Sequence, residues 1–580
     1  MKKTLYILLL IFTVKFVHGQ PASEEFLMPE ERIYLHQNTT LLMSGEYLYY
    51  KLYCLNSETG SLSDMSKVAY VELVGKDGQA VFSHKVRLTN GSGEGDFFVP
   101  TTVPSGNYKL VAFTQWMRNG QVEDFFQNDV VVINPFQNNQ SGLMRSASDS
   151  TSNDINVSIP RAETPPKNTP GVDLQLSPQS AGNRQKISLT VNNVAAEWHG
   201  DYSLSVRKII AELPHPQRET SSAFAESLKR RSESIEISPG SGMALPELRG
   251  ELLIGTVVSN ETGEKVANRK VALSIPGNNY LFKISSTGAN GTFFFNVDES
   301  YLNEQALIQV IGEDRDSFRI ELEDFKSPDY SNLTFSDFVL DENMEKIILE
   351  QSVQNQIQNA YAESRIDSIR RVEDFPPFFQ TPTHEYNLDD YTRFPTIKET
   401  IIEVIEQAST RQRKGKQFIH VRVYDDDVET GLNSLLLIDG LFIQDHNTVV
   451  EAKASKIKKI SVINQQYLYG SEVFEGIISM ESYEGDFIES LPALKEKDTK
   501  LFRPELAKDY FQQDYRYPER YKRIPDYRTQ LAWEPRFKLD GTNKTFSFYT
   551  SDIKGSYEVV LEGFNDEGDP LSLRKVIEVR

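Results

Sequence analysis

Cysteine is almost missing: Cys54 stands alone in 580 residues. One thiol excludes every internal disulfide, so each domain must stand on its own core. Cys54 is followed by Leu55 and Asn56, and no base is placed beside it by sequence. It is expected as a half-buried strand residue rather than a nucleophile. Histidine is scarce as well, at 8, and no two sit at a metal spacing. His384 and His446 are isolated and are expected as ordinary surface or core residues. Basic charge is outnumbered, with 62 Lys and Arg against 83 Asp and Glu, a net charge of −21. That excess is spread along the chain, which argues against nucleic acid and anionic lipid as partners. After the first 20 residues no apolar run reaches the ~18 residues of a membrane helix, so no span is expected in the mature chain.

Catalytic signatures are missing too. There is no Walker or dinucleotide glycine loop and no Gly-X-Ser-X-Gly elbow. Ser-X-X-Lys starts at Ser205, Ser455 and Ser551, without the companion motifs that give it meaning. Asp425, Asp426 and Asp427 come nearest to a metal loop. Counted from Asp426, Gly431 falls on the turn position, but Val428 and Leu437 fall on ligand positions. A solvated strand end is the expectation there. Glu475 and Glu489 carry no spacing that pairs them. The reading is a non-enzymatic protein with no cofactor and no metal.

What is present is β-rich. Residues 1–19 read as a secretory signal peptide: Lys2 and Lys3, an apolar stretch over 5–17, then Gly19 before the cut. Residues 28–135 hold aromatic and β-branched runs separated by Gly and Pro turns, the pattern of a β-sandwich. Residues 136–170 are rich in Asn, Ser, Thr and Pro and read as a linker. Alternation resumes over 171–249, a second sandwich with a polar excursion and a short basic helix near Phe224. Residues 250–346 form a third sandwich. Residues 347–371 show Ile347, Val353, Ile357, Ile366 and Ile369 at roughly helical spacing, within a helix-and-linker region spanning 347–395. Residues 396–485 alternate helix and strand around the Asp439-Gly440 turn. Residues 486–524 are a Tyr-rich linker; Tyr510, Tyr515, Tyr517, Tyr521 and, just beyond it, Tyr527 are expected to pack on the preceding unit, the other reading being that they present Tyr to a ligand. Residues 525–580 are a last sandwich.

Three resemblances add to this. Ile438-Asp439-Gly440, Tyr469-Gly470 and Gly476-Ile477-Ile478 resemble the plug domain of TonB-dependent outer-membrane receptors. Only about 95 residues follow, too few for a receptor barrel with strands of ~9–11 residues each. The plug-like domain is therefore expected to lack a barrel of its own. Ser44-Gly45-Glu46 and Pro104-Ser105-Gly106-Asn107-Tyr108 are similar to macroglobulin-type domains, without the thioester Cys-Gly-Glu-Gln. Residues 250–325, with Gly288 to Gly291 before Phe293 and Phe295, resemble the carboxypeptidase regulatory-like domain.

The expected fold is mainly β: a chain of immunoglobulin- or macroglobulin-like sandwiches plus one small α+β plug-like domain. The expected role is a cell-envelope binding or transport accessory, exported to the periplasm, outer membrane or cell surface. Its plug-like domain implies an outer-membrane β-barrel or a TonB-type system as partner. The other reading is a secreted or surface scaffold of chained sandwiches.

Overall fold

The computed structural model describes residues 30–144, 171–193, 198–213, 215–230, 243–372, 374–413, 415–423, 431–495 and 497–580. The signal peptide, the linker from 145 onward and the Asp425-Asp426-Asp427 cluster lie outside the described residues. The chain is mainly β, and its main sheets form three two-sheet sandwiches and one five-stranded α+β unit. No helix among the described residues is long and apolar enough to cross a membrane.

The N-terminal sandwich sets Glu31–Gln37, Tyr47–Asn56 and Ser92–Phe98 against a five-stranded sheet. Alternation usually leaves one face of such a strand wet. Val68–Gly75 is instead buried along its whole length. The chain returning from the next domain covers its outer face: Phe325 stacks on Tyr70 at 4.7 Å, and the Tyr330 hydroxyl donates to Glu72.

The regions 171–249 and 525–580, expected as two sandwiches, are one. Gly200–Lys208 pairs with Gln530–Leu539 on one edge and Gly555–Phe564 on the other. Lys186–Asn193 pairs with Lys544–Tyr549. The physical reason is strand supply. Segment 172–208 has too few strands to cover both sheet faces, and Tyr202, Leu204 and Val206 are fully buried only once the C-terminal strands flank them. Helix Ser221–Arg230 falls where a basic helix was expected. Phe224 and Leu228 are buried, with Phe224 against Tyr34 at 5.5 Å, and Lys229 and Arg230 face solvent.

The middle sandwich holds Glu251–Ser259, Thr292–Val297 and Phe318–Leu322 in one sheet, and Leu281–Ser286, Lys270–Ile275 and Gln305–Val310 in the other. A short strand, Asp498–Lys500, extends the second sheet. The segment expected as a linker packed on the α+β unit thus adds a strand to the middle sandwich.

In the α+β unit, Leu435–Ile438 runs parallel to Glu472–Ser482, which pairs antiparallel with Ile457–Tyr469. Helix Ile397–Val404 starts at a capping box made by Thr396 and Glu399, and buries Ile397, Ile401 and Val404. The helix expected over 347–371 spans Glu345–Ala360 only. Its apolar residues do not form a core stripe. Val353 is 46% exposed, and Ile366 and Ile369, beyond the helix, are exposed too.

Candidate functional site

Several of the signature residues of the α+β unit, Asp439, Gly440, Tyr469 and Gly470, lie at its joint with the middle sandwich. Asp439 is buried and left-handed, at φ 49°, a conformation that Asp tolerates better than most residues. Its carboxylate accepts from the Ser482 amide at 2.7 Å, the Ser482 hydroxyl at 2.6 Å and the Phe487 amide at 3.0 Å. Gly440 follows at φ 81°, and a Cβ there would lie 2.3 Å from Tyr280 of the middle sandwich. The Gly277 amide donates to the Asp439 carbonyl at 3.2 Å. Tyr469 donates its hydroxyl to the Phe282 carbonyl at 2.6 Å, and Gly470, at φ 59°, lets the hairpin tip reach Ile284. Gly476 serves inside the unit, where a Cβ would meet Val421 and the Ile463 carbonyl. Ile438 is fully buried beside the turn. Around these residues Phe282, Phe378, Phe442, Phe474 and Leu437 form one apolar cluster. Asp439 holds its turn shut from within, and the glycines allow two domains to touch.

The second motif group has a different surrounding. Gly45 is at φ 90°, and a Cβ there would strike Asn359. Glu46 accepts from the Met43 amide at 2.9 Å and pairs with Arg207 of the composite sandwich at 3.0 Å. The Tyr108 hydroxyl donates to the Pro104 carbonyl at 2.8 Å, and the ring lies along Gly106, closing the turn that leads from Ser92–Phe98 into strand Gly106–Phe113. Helix Glu345–Ala360 docks on the Gly45 turn through Asn355 to the Ser44 carbonyl at 2.8 Å and Asn359 to the Gly45 carbonyl at 3.0 Å.

Beside that turn lies a cleft of about 630 Å³ between the N-terminal sandwich, the composite sandwich and the helix. One wall is aromatic. Tyr47 and Tyr49 stack at 5.5 Å, Tyr49 and Trp533 at 5.9 Å, and Tyr510 meets Tyr49 edge-on at 5.2 Å. Burial raises the tyrosine hydroxyls of Tyr47, Tyr49 and Tyr510 above their ordinary range, so they stay neutral. Tyr510 and Tyr527 were expected against the plug-like unit. They line this cleft instead, because the Tyr-rich segment runs along the two sandwiches: the Tyr510 hydroxyl donates to Asp96 of the N-terminal sandwich at 3.3 Å, and Arg536 of the composite sandwich donates to the Lys508 carbonyl at 2.8 Å. A larger cleft of about 820 Å³ is charged. There Lys51 sits 3.1 Å from Asp201, and Arg536 2.7 Å from Asp509.

The other candidates separate. Cys54 is fully buried, not half-buried, because both neighbouring strands cover it; burial and Glu31 push its thiol well up. Glu475 faces His420 at 3.5 Å, while Glu489 pairs with Lys495. His446 is buried and held down to about 4 by that burial, and its Nδ1 accepts from the Ile419 amide. Sequence reasoning did not single out Trp533 or the amide-bearing helix face. The amide spacing was there to be read.

No family model and no curated protein matches this chain. Among solved structures it is similar to Escherichia coli alpha-2-macroglobulin activated by porcine elastase, at 9% identity and a TM-score of 0.24 over 95% of this chain and 44% of that one. The native E. coli alpha-2-macroglobulin gives 10% identity and 0.24, over 96% and 40%. A Listeria innocua beta-glucosidase gives 16% identity and 0.13, over 18% of this chain and 16% of that one. The chain thus spans less than half the length of those macroglobulins. Likeness of this degree does not assign it to a family.

Proposed function

We propose that this protein is a non-enzymatic binding scaffold of the cell envelope. In this reading the plug-like unit is a fixed docking module for an outer-membrane β-barrel or a TonB-type partner, and the sandwiches are rigid arms. The supporting observation is how the unit is mounted. Its signature turn is used inward, on the middle sandwich, while Ile402, Tyr391 and Tyr483 stand outside that joint at 54%, 43% and 44% exposure. Large apolar side chains left outside mark interaction surfaces when they gather.

The test is affinity purification of the tagged mature protein from gently solubilised outer membranes, with mass spectrometry of what accompanies it. A stoichiometric large β-barrel or TonB-type protein is expected, and Ile402→Lys with Tyr483→Lys should deplete it. Recovery alone, or release into the medium, would overturn docking. The scaffold of chained sandwiches would then stand in its place, a role for which interlocked domains suffice.

A further inference from the structure

On helix Glu345–Ala360, Ile347 and Ile348 pack against a small core cluster, while an amide stripe takes the face along the cleft. Gln351, Gln354, Asn355, Gln358 and Asn359 recur at i, i+3, i+4, i+7 and i+8, the spacing that normally carries a helix's apolar stripe. These five amides face the 630 Å³ cleft, while Leu349 points to solvent at 63% exposure. Opposite them stand the tyrosines and Trp533.

Most charges on the walls are already matched. Glu46 pairs with Arg207 at 3.0 Å, Lys508 with Asp96 at 2.8 Å and Arg528 with Asp526 at 2.7 Å. Burial raises the Asp367 carboxyl toward its neutral form, and its oxygen already accepts from the Phe511 amide at 2.8 Å. Left without any hydrogen bond are the Trp533 indole nitrogen, Gln354 Oε1 and Arg365 Nη1. Trp533 is 3% exposed and the Arg365 side chain 7%. Buried polar atoms are nearly always paired, so three unpaired ones on a single cleft call for an explanation.

We propose that this cleft binds a neutral oligosaccharide. A sugar hydroxyl donates and accepts at one atom, which suits carboxamides that do both. The apolar face of a sugar ring suits the tyrosine wall. A neutral ligand brings no charge to desolvate against walls whose charges are mostly paired within the protein. The cleft has the size of a small-molecule site. Strand addition by a peptide is disfavoured. The edge strand Gln530–Leu539 reaches the cleft, but its Leu531 carbonyl accepts from Arg528 at 3.1 Å and its Ala532 carbonyl from Gln530 at 2.7 Å.

The experiment is calorimetric titration of the full mature chain with gluco-, xylo-, manno- and chito-hexaose, and with uncharged hexapeptides as the counter-probe. One sugar series should bind one-to-one, more tightly than about 1 mM, and both Tyr47→Ala and Gln354→Leu should weaken it by about tenfold or more. Tyr47 is 38% exposed at the rim and Gln354 Oε1 has no partner, so both variants should stay folded by circular dichroism at the titration temperature, with Tyr47→Ala losing only its ring contacts to Tyr49 and Phe98. No sugar binding, binding that both variants leave unchanged, or peptide binding in its place would overturn the proposal. Such a failure leaves the docking reading untouched, since that rests on another surface.

Discussion

Toward the plug-like unit the middle sandwich offers Tyr280, Phe282 and Ile284; toward the N-terminal sandwich it offers Glu251 and Tyr301. The first joint has an apolar centre, edged by hydrogen bonds such as Tyr469 to the Phe282 carbonyl and by the Lys270–Glu472 ion pair, and depends mainly on shape. Two glycines bring backbones together there, and the one buried carboxylate, Asp439, is satisfied within its own turn. The second joint is polar. Lys85 meets Glu251 at 2.5 Å, Tyr301 donates to the same carboxylate at 2.6 Å, and Tyr70 donates to Glu247 at 3.1 Å. A joint set by shape fails when a methyl group is added. A joint set by buried charge fails when a partner or a proton is changed.

Gly440→Ala should have the largest effect. The new Cβ falls on the Tyr280 Cβ and Cγ, atoms that no rotamer change moves far, in a backbone region disfavoured for Ala. A loss of about 4 kcal/mol is expected, the same at pH 5 as at pH 8, read by denaturant unfolding. A loss below about 1 kcal/mol would mean the joint yields.

Lys85→Met tests the polar joint. It leaves Glu251, itself fully buried, without its cation. About 3 kcal/mol should be lost. A neutral result would show that Tyr301 alone suffices for Glu251.

Glu247→Gln has the smallest effect at acid pH and the sharpest signature. Burial pushes this carboxyl up to about 7 from its ordinary 4.5, with Lys85 opposing. The native state therefore holds a proton that the unfolded chain releases earlier. The stability this confers is fully present below about pH 4.5 and is lost as pH rises through about 7. The variant should match the parent near pH 4.5 and exceed it by up to about 3 kcal/mol at pH 8.5. Equal pH slopes in urea melts of the two proteins would remove Glu247 as the source.

Local pattern carried the elements far better than their partners. The Asp439-Gly440 turn, its flanking strands and the capped helix Ile397–Val404 were legible because turn chemistry and apolar periodicity act within a few residues. The composite sandwich was not. Gly200–Lys208 reads as a good strand whatever lies beside it, and its neighbours come from more than 300 residues away in the chain. The Tyr-rich segment failed for the same reason: aromatic content announces burial without saying against what. At the cleft, isoleucines drew attention along the helix, although Gln351, Gln354, Asn355, Gln358 and Asn359 kept the stricter helical spacing. Periodicity is usually sought in apolar residues, so an amide stripe goes unseen.

The central claim is that the signature residues act as a joint, making the plug-like unit part of one fixed platform. Amide hydrogen exchange on the wild type and on Gly440→Ala tests it most directly. If the claim holds, the variant loses protection in Leu435–Ile438 and in Leu281–Ser286 together, while Gly200–Lys208 stays protected. Loss confined to the plug-like strands, with Leu281–Ser286 unchanged, would contradict it and make the unit an independent domain that merely rests on its neighbour.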